Sequence, residues 1–257
     1  VTNNHTALNF SDDELLRYSR QIMLPAFDIA GQLALKNAAV LIIGLGGLGS
    51  PASMYLAAAG VGRLGLLDFD EVDLSNLQRQ IVHGSDTLGQ PKVSSAMRRL
   101  QQLNALVEYD AIHEKLDEKA LAALIANYDM VLDCSDNFET RFAVNRVCVA
   151  GKVPLVSGAA IRMEGQISVF DARDEDSPCY QCLYPESGNE ELNCSQSGVM
   201  APLVGVIGAM QALEAIKLLA GIGERSVGKL LIFDAMNMEW RRLKLGKDAS
   251  CRCCASA

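Results

Sequence analysis

The run Val40-Leu41-Ile42-Ile43 leads directly into Gly44-Leu45-Gly46-Gly47-Leu48-Gly49, followed by a segment of small apolar residues. No other stretch of the chain restricts its fold as strongly. Aliphatic and β-branched residues ahead of a glycine turn, with an apolar helical segment behind it, read as strand, turn and helix. A second apolar run, Leu64 to Leu67, completes a β-α-β unit and ends on Asp68. In such a unit Gly44 makes the tight turn, Gly46 lets backbone approach a phosphate, and Gly49 packs helix against strand. Gly47 joins them as a nucleotide-binding candidate. An anion is expected at the helix N-terminus, where free N–H groups and the helix dipole favour negative charge. Asp68 is placed to accept hydrogen bonds from ribose hydroxyls. A nucleotide site follows, and the turn alone leaves open whether it takes ATP or a nicotinamide dinucleotide.

The alternation continues. Lys92 to Leu103, Asp117 to Ile125 and Glu139 to Ala150 read as helices, with strands at Leu106 to Ile112 and Met130 to Leu132. From Gly165 to Phe170 the residues alternate like an antiparallel strand, and Leu230 to Phe233 and Glu239 to Leu245 add two more. The expected fold is therefore α/β, a Rossmann-like, mostly parallel sheet flanked by helices and continuing into antiparallel strands in the C-terminal half. The 257 residues are expected to form one domain, with a nucleotide-binding part over about 11–150 and a second part over about 151–257. Ser11 with Glu14 forms a capping box for a first helix that carries Arg17 and Arg20, and Pro25 ends or bends that helix. Val1 to Phe10 reads as a frayed terminus.

A net charge of -8 argues against a general nucleic-acid surface, and 49% hydrophobic with 21% charged residues describes an ordered chain. The apolar run Val199 to Ala220 carries Pro202, Gln211, Glu214 and Lys217, so it reads as a buried helix rather than a membrane span. No secretory leader is evident in Val1 to Asn9, and the expected location is cytoplasmic.

Candidate site residues gather at strand ends. In an open α/β sheet ligands sit outside the carboxyl ends of the strands, which makes Asn76 and Arg79, after the second strand, candidates for the nucleotide site. Lys92 opens a helix, where its charge opposes the dipole unless an anion lies nearby. Asp136 follows the strand ending near Asp133 and is suited either to Mg²⁺ beside phosphate oxygens or to capping the next helix. Cys179 and Cys182 form one C-x-x-C pair and Cys251 and Cys254 another, four thiolates with the spacing of a tetrahedral structural Zn²⁺ site. Cys253 is an alternative fourth ligand. Cys194 stands alone in a polar stretch. Trp240, the single tryptophan, reads as a core or interface side chain.

Taken together, Arg20, the glycine turn, Asp68, Asn76-Leu77-Gln78-Arg79, Lys92, Cys134-Ser135-Asp136-Asn137 and the double C-x-x-C resemble the bacterial relatives of ubiquitin-activating enzymes, the E1-like HesA/MoeB/ThiF family. The resemblance spans about Asp12 to Cys254. It implies that ATP and the C-terminal Gly-Gly carboxylate of a small ubiquitin-like sulfur carrier react to give an acyl-adenylate and pyrophosphate. A carrier of molybdenum cofactor biosynthesis (MoaD type) is the first expectation, and one of thiamine biosynthesis (ThiS type) the alternative. The resemblance also implies roles: Arg20, Arg79 and Lys92 neutralise phosphates, Asp68 holds the ribose, Asn76 orients phosphate and Asp136 holds Mg²⁺. It implies a homodimer in which Arg20 serves the partner's site. Cys194 aligns with a cysteine that links covalently to the carrier in some relatives and is carried as an additional catalytic candidate. No sulfurtransferase extension follows Cys254, so sulfur is expected from another source. An NAD-dependent oxidoreductase and a non-catalytic carrier-binding scaffold are the more remote readings.

Overall fold

The structure is a computed structural model that describes residues 10–185 and 198–255. Cys194 and the segment Val1 to Asn9 lie outside the described residues. Helices α1 (Asp12–Ile22) and α2 (Asp28–Lys36) precede strand β1 (Ala39–Ile43), after which α3 (Gly49–Ala59), β2 (Arg63–Leu67), α4 (Lys92–Leu103) and β3 (Glu108–Ile112) follow. Then come α5 (Glu118–Ile125), β4 (Met130–Asp133), α6 (Phe138–Gly151), β5 (Leu155–Ile161) and β6 (Glu164–Phe170). A short α7 (Tyr180–Leu183), the long α8 (Ala201–Ala220), β7 (Lys229–Asp234) and β8 (Glu239–Lys244) complete the order.

Among the described residues eight strands join one sheet in the order β3-β2-β1-β4-β5-β6-β7-β8. The first five are mutually parallel; β6, β7 and β8 add antiparallel. Side chains alternate across the central strands. Val40 and Ile42 enter a core with α3, α4 and α8, whereas Leu41 and Ile43 enter a core with α5 and α6. Burial on both faces explains why these strands read as continuous apolar runs. The outer strand β8 is exposed along its length and carries Glu239, Arg241, Arg242 and Lys244, charges that blunt an open sheet edge. Trp240 lies on that strand, 43% exposed and stacked on Phe233 at 4.6 Å, so it is a surface side chain rather than a core one.

Helix α8 has a mean hydropathy of 1.7 over its best window. It packs against α3, β5 and β6 as a core helix. Its polar residues are used there: the fully buried Gln211 donates to the carbonyls of Asp133 at 2.9 Å and Val156 at 3.2 Å. At the other end of the chain the Ser11 hydroxyl accepts the Glu14 amide while Glu14 bonds back to the Ser11 amide, the expected capping box. Such a cap contributes about 1 kcal/mol. Helix α1 then ends at Ile22 with Met23 as its C-cap, two residues before Pro25.

Candidate nucleotide and metal sites

Strand order reverses between β1 and β4, which creates a crevice at their carboxyl ends. Register aligns the rim. Ile43 pairs with both Leu67 and Asp133, so the Gly44 turn, Asp68 and Cys134 leave the sheet at one level. A cavity of about 220 Å³ opens there. Among its walls are Gly44, Gly46 and Gly47, then Asp68, Arg79 and Lys92, and across from them Asp136.

The glycines differ in what surrounds them. Gly44 has φ +89°, and a Cβ on Gly49 would lie 1.9 Å from the Gly44 carbonyl oxygen. Both positions exclude a side chain for reasons internal to the fold. Gly46 differs: a Cβ there would meet only the Gln80 amide, at 3.5 Å. Its missing side chain leaves space on the cavity side, as close approach of a phosphate requires. No side chain caps α3; in its first turn the Ser50 amide donates to the Gly46 carbonyl at 3.0 Å, and Pro51 has no N–H to satisfy.

Asp68 is 8% exposed and binds backbone with both oxygens, accepting the Leu45 amide at 2.7 Å and the Asp70 amide at 2.8 Å. Burial raises its carboxyl above the ordinary range, and the Lys92 ammonium partly offsets this. Each oxygen retains a lone pair that a ribose hydroxyl can use. Lys92 is buried, and its ammonium lies 2.8 Å from Asp70 Oδ2. The anion that a lysine at a helix start requires is thus supplied by the protein. Asp70 belongs to the acidic run after β2, but nothing in its spacing from Lys92 marks the pair.

Asn137 caps α6, its side chain accepting the Thr140 amide at 2.9 Å. Asp136 therefore does not serve as the cap, contrary to one of its two expected roles. It stays exposed at the cavity wall. Arg141 is a residue that helix periodicity hides. It is 6% exposed, donates to the Gly158 carbonyl at 2.9 Å and lines the cavity near Asp136. Asn76 and Arg20 do not line the cavity. Asn76 sits on a short 3₁₀ turn, Leu74–Asn76, and donates to the Ser75 hydroxyl at 3.3 Å. Arg79 reaches back to the Ser75 carbonyl at 3.2 Å. Arg20 is exposed on α1. Arg17, on the same helix, is exposed and donates to the Leu103 carbonyl at 3.1 Å.

His83 was not singled out by the sequence. Its Nε2 lies 2.9 Å from the Leu45 carbonyl and its Nδ1 3.0 Å from Ser95 Oγ. A carbonyl only accepts, so Nε2 carries the proton. Burial lowers its pKa, and the nearby Lys92 charge adds to that effect. Leu45 is consequently held by both backbone groups, its N–H by Asp68 and its C=O by His83.

The four thiols of Cys179, Cys182, Cys251 and Cys254 lie within 4.8 Å of one another. Their sulfur separations include 3.9 Å (Cys179 to Cys182), 3.7 Å (Cys179 to Cys251) and 3.4 Å (Cys182 to Cys254). A tetrahedron of Zn–S bonds of about 2.3 Å has sulfurs about 3.8 Å apart, so the group fits that ion. Cys182 also accepts the amides of Cys179 and Asp248, each at 3.5 Å. Cys253 packs beside this group but outside it, so Cys254 is the fourth member. Neighbouring Cys253 draws the Cys179 thiol below the ordinary thiol range, against the opposing effect of burial.

The chain is 56% identical over 244 residues to the molybdopterin-synthase adenylyltransferase of Escherichia coli (strain K12), covering 95% of this chain and 98% of that protein. It is 46% identical over 253 residues to the adenylyltransferase and sulfurtransferase MOCS3 of Culex quinquefasciatus, which covers 97% of this chain and 57% of that longer protein. Among solved structures, PaaA superposes with a TM-score of 0.81 at 22% identity, over 96% of this chain and 78% of that one, a likeness of fold. E. coli MccB solved with ATP gives 0.82 at 25% identity, over 93% and 74%. Residues 18–254 match the ThiF family. With that match and near-full-length relatives above half identity, the chain belongs to the ThiF family.

Proposed function

We propose that this chain adenylates the C-terminal Gly-Gly carboxylate of a ubiquitin-like sulfur carrier of molybdenum cofactor biosynthesis. The observation that carries the reading is one cavity in which Arg79 and Lys92 stand with Asp136 around a glycine turn that has room for phosphate. The name of the E. coli relative supplies the pathway.

Carboxylate and α-phosphate are both anionic, so catalysis rests on positioning and charge neutralisation rather than proton transfer. A carrier carboxylate oxygen attacks the α-phosphorus and pyrophosphate leaves. In this reading Lys92 and Arg79 receive phosphate charge, Asp68 holds the ribose, Asn76 orients phosphate, and Arg20 reaches the site of a second subunit in a homodimer. Asp136, relieved of capping, has a carboxylate available for Mg²⁺. Mg²⁺ would supply further neutralisation of phosphate oxygens. Residues of about 11–150 bear the nucleotide and those of about 151–257 the carrier and zinc. The cysteine cluster would hold Zn²⁺ as a structural clip on the chain end. A cytoplasmic location suits a chain whose thiols must stay reduced.

Carrier-dependent exchange of labelled pyrophosphate into ATP tests the reading directly. Exchange is expected with a MoaD-type carrier and to fall sharply in Arg79→Ala and Asp136→Ala. Absence of exchange with that carrier, or normal exchange in both variants, overturns it.

A further inference from the structure

The hairpin between β5 and β6 has only two loop residues, Arg162 and Met163, because Ile161 still pairs with Glu164. Of the two, Arg162 alone has a positive φ, +53°. A two-residue hairpin loop that is left-handed only at its first position ordinarily has glycine there, since a Cβ is crowded in that conformation. Lys152, also left-handed, has a local reason in that it ends helix α6. Arg162 is held by its surroundings instead. Its amide donates to the Gly198 carbonyl at 2.9 Å, its carbonyl accepts the Met200 amide at 3.1 Å, and the Met163 carbonyl accepts the Ala235 amide at 2.8 Å. Backbone strain fixed from outside in this way points to a side chain that must be presented in one place.

That side chain is exposed, and no hydrogen bond or ion pair with another described residue occupies it. Its position is the rim of the nucleotide cavity: Val199, its bridge partner, and Ala160, two residues before it, both line that cavity. Gly46, Asp68 and Lys92 form the nucleotide side of the same cavity, which leaves the side of Ala160 and Val199 for the second substrate. We propose that Arg162 is a positioning residue for the carrier, its guanidinium taking peptide carbonyl oxygens of the carrier's C-terminal tail just ahead of Gly-Gly. The proposal rests on the reading of the chain as a carrier adenylyltransferase. Glycines offer no side chain to grip, so such a tail is held through its backbone, and a guanidinium brings five N–H donors and no acceptor to carbonyl oxygens. The terminal carboxylate is not the ligand of Arg162, because it must reach the α-phosphate over Gly46 while Arg162 stands exposed outside.

The test is carrier-dependent exchange of labelled pyrophosphate into ATP, run on the full chain with a MoaD-type carrier in the parent, Arg162→Gly and Arg162→Lys, with the melting temperature of each. In Arg162→Gly the half-saturating carrier concentration is expected to rise about tenfold, the scale of one lost hydrogen bond from a charged group. The half-saturating ATP concentration and the rate at saturating carrier are expected to hold. Its melting temperature is expected to rise, because glycine relieves the left-handed position. Arg162→Lys, which keeps the charge and loses the planar fork, is expected to lie between the parent and Arg162→Gly in carrier affinity. An unchanged carrier concentration in Arg162→Gly overturns the proposal and leaves the adenylation reading standing. A lower melting temperature in that variant also overturns it, since the arginine would then serve its own fold, and so do equal losses for carrier and ATP. A parent that shows no exchange with the carrier overturns the adenylation reading, and this proposal with it.

Discussion

The Lys92 ammonium lies 2.8 Å from Asp70 Oδ2, and the same lysine's amide donates to the Asp70 carbonyl at 2.9 Å. The two side chains sit differently: that of Lys92 is 6% exposed and that of Asp70 52%. The carboxylate thus marks the solvent side of the pair and the ammonium its inner side, toward the turn. In the proposed site a phosphate over Gly46 would meet a cation already positioned and already shared.

On the proposed reading Asp70 competes with ATP for Lys92. Replacing it by Asn keeps the shape and removes the competing charge, so ATP binding measured by titration calorimetry should tighten several-fold. Lys92→Ala should instead lower pyrophosphate exchange by about 10²-fold or more, the usual cost of losing one preorganised group that meets developing charge. Weaker ATP binding in Asp70→Asn would mean that the carboxylate holds Lys92 in place rather than competing for it.

Much of this arrangement was legible in the sequence, for a physical reason. Central strands buried on both faces must be apolar throughout, and the chain after β1 must have glycine at Gly44 and Gly49, so the β-α-β order and a crevice at the strand ends could be read directly. Pairings between distant segments could not. Asp70 and Lys92 are 22 residues apart, and Leu45 and His83 are 38 apart, with no periodicity to link them. At Asp136 and Asn137 two adjacent residues had equal capping chemistry, and only backbone geometry selects Asn137. For Trp240 the sequence offered core or interface, and the structure removes the core alternative: the ring covers Phe233 on an exposed edge strand.

The His83 contact makes the glycine turn sensitive to acid. Its folded pKa is lowered from the ordinary value of 6.5, so the folded state binds fewer protons than the unfolded chain. Its contribution to stability is complete above that value and is lost as pH falls through it toward the lowered folded value. Melting temperature should drop as pH falls below 6.5, and His83→Gln, which keeps an N–H for Leu45 without titrating, should show a shallower drop. The raised Asp68 carboxyl acts with the opposite sign, starting from the carboxylate range. Equal slopes in the two proteins would assign the acid sensitivity elsewhere.

Removal of zinc should unfold before it inactivates. The cluster ties α7, which follows β6, to the chain end after β8, a closure across 72 residues from Cys179 to Cys251. Metal binding to such a site contributes directly to folding free energy. Chelation, or Cys179→Ser, should lower the melting temperature by several degrees, while any fraction that remains folded keeps its affinity for ATP. An unchanged melting temperature in zinc-free protein would remove the structural role.

Arg20 poses the remaining question, since it is exposed on α1 and absent from the cavity of its own chain, whereas Asp136 lines that cavity. If Arg20 serves the second subunit of a two-fold dimer, the two defects are complementary. A mixed dimer of Arg20→Ala with Asp136→Ala contains one site with its own Asp136 and an Arg20 donated by the partner. Its other site lacks both. Random reassortment of equal amounts makes half the dimers mixed, each with one intact site, so exchange activity should recover to about a quarter of the parent level although neither variant is active alone. If Arg20 acted within its own chain, every chain in the mixture would remain defective and no activity would return. The measurement needs only subunit exchange, verified by tagging one variant and recovering the other with it.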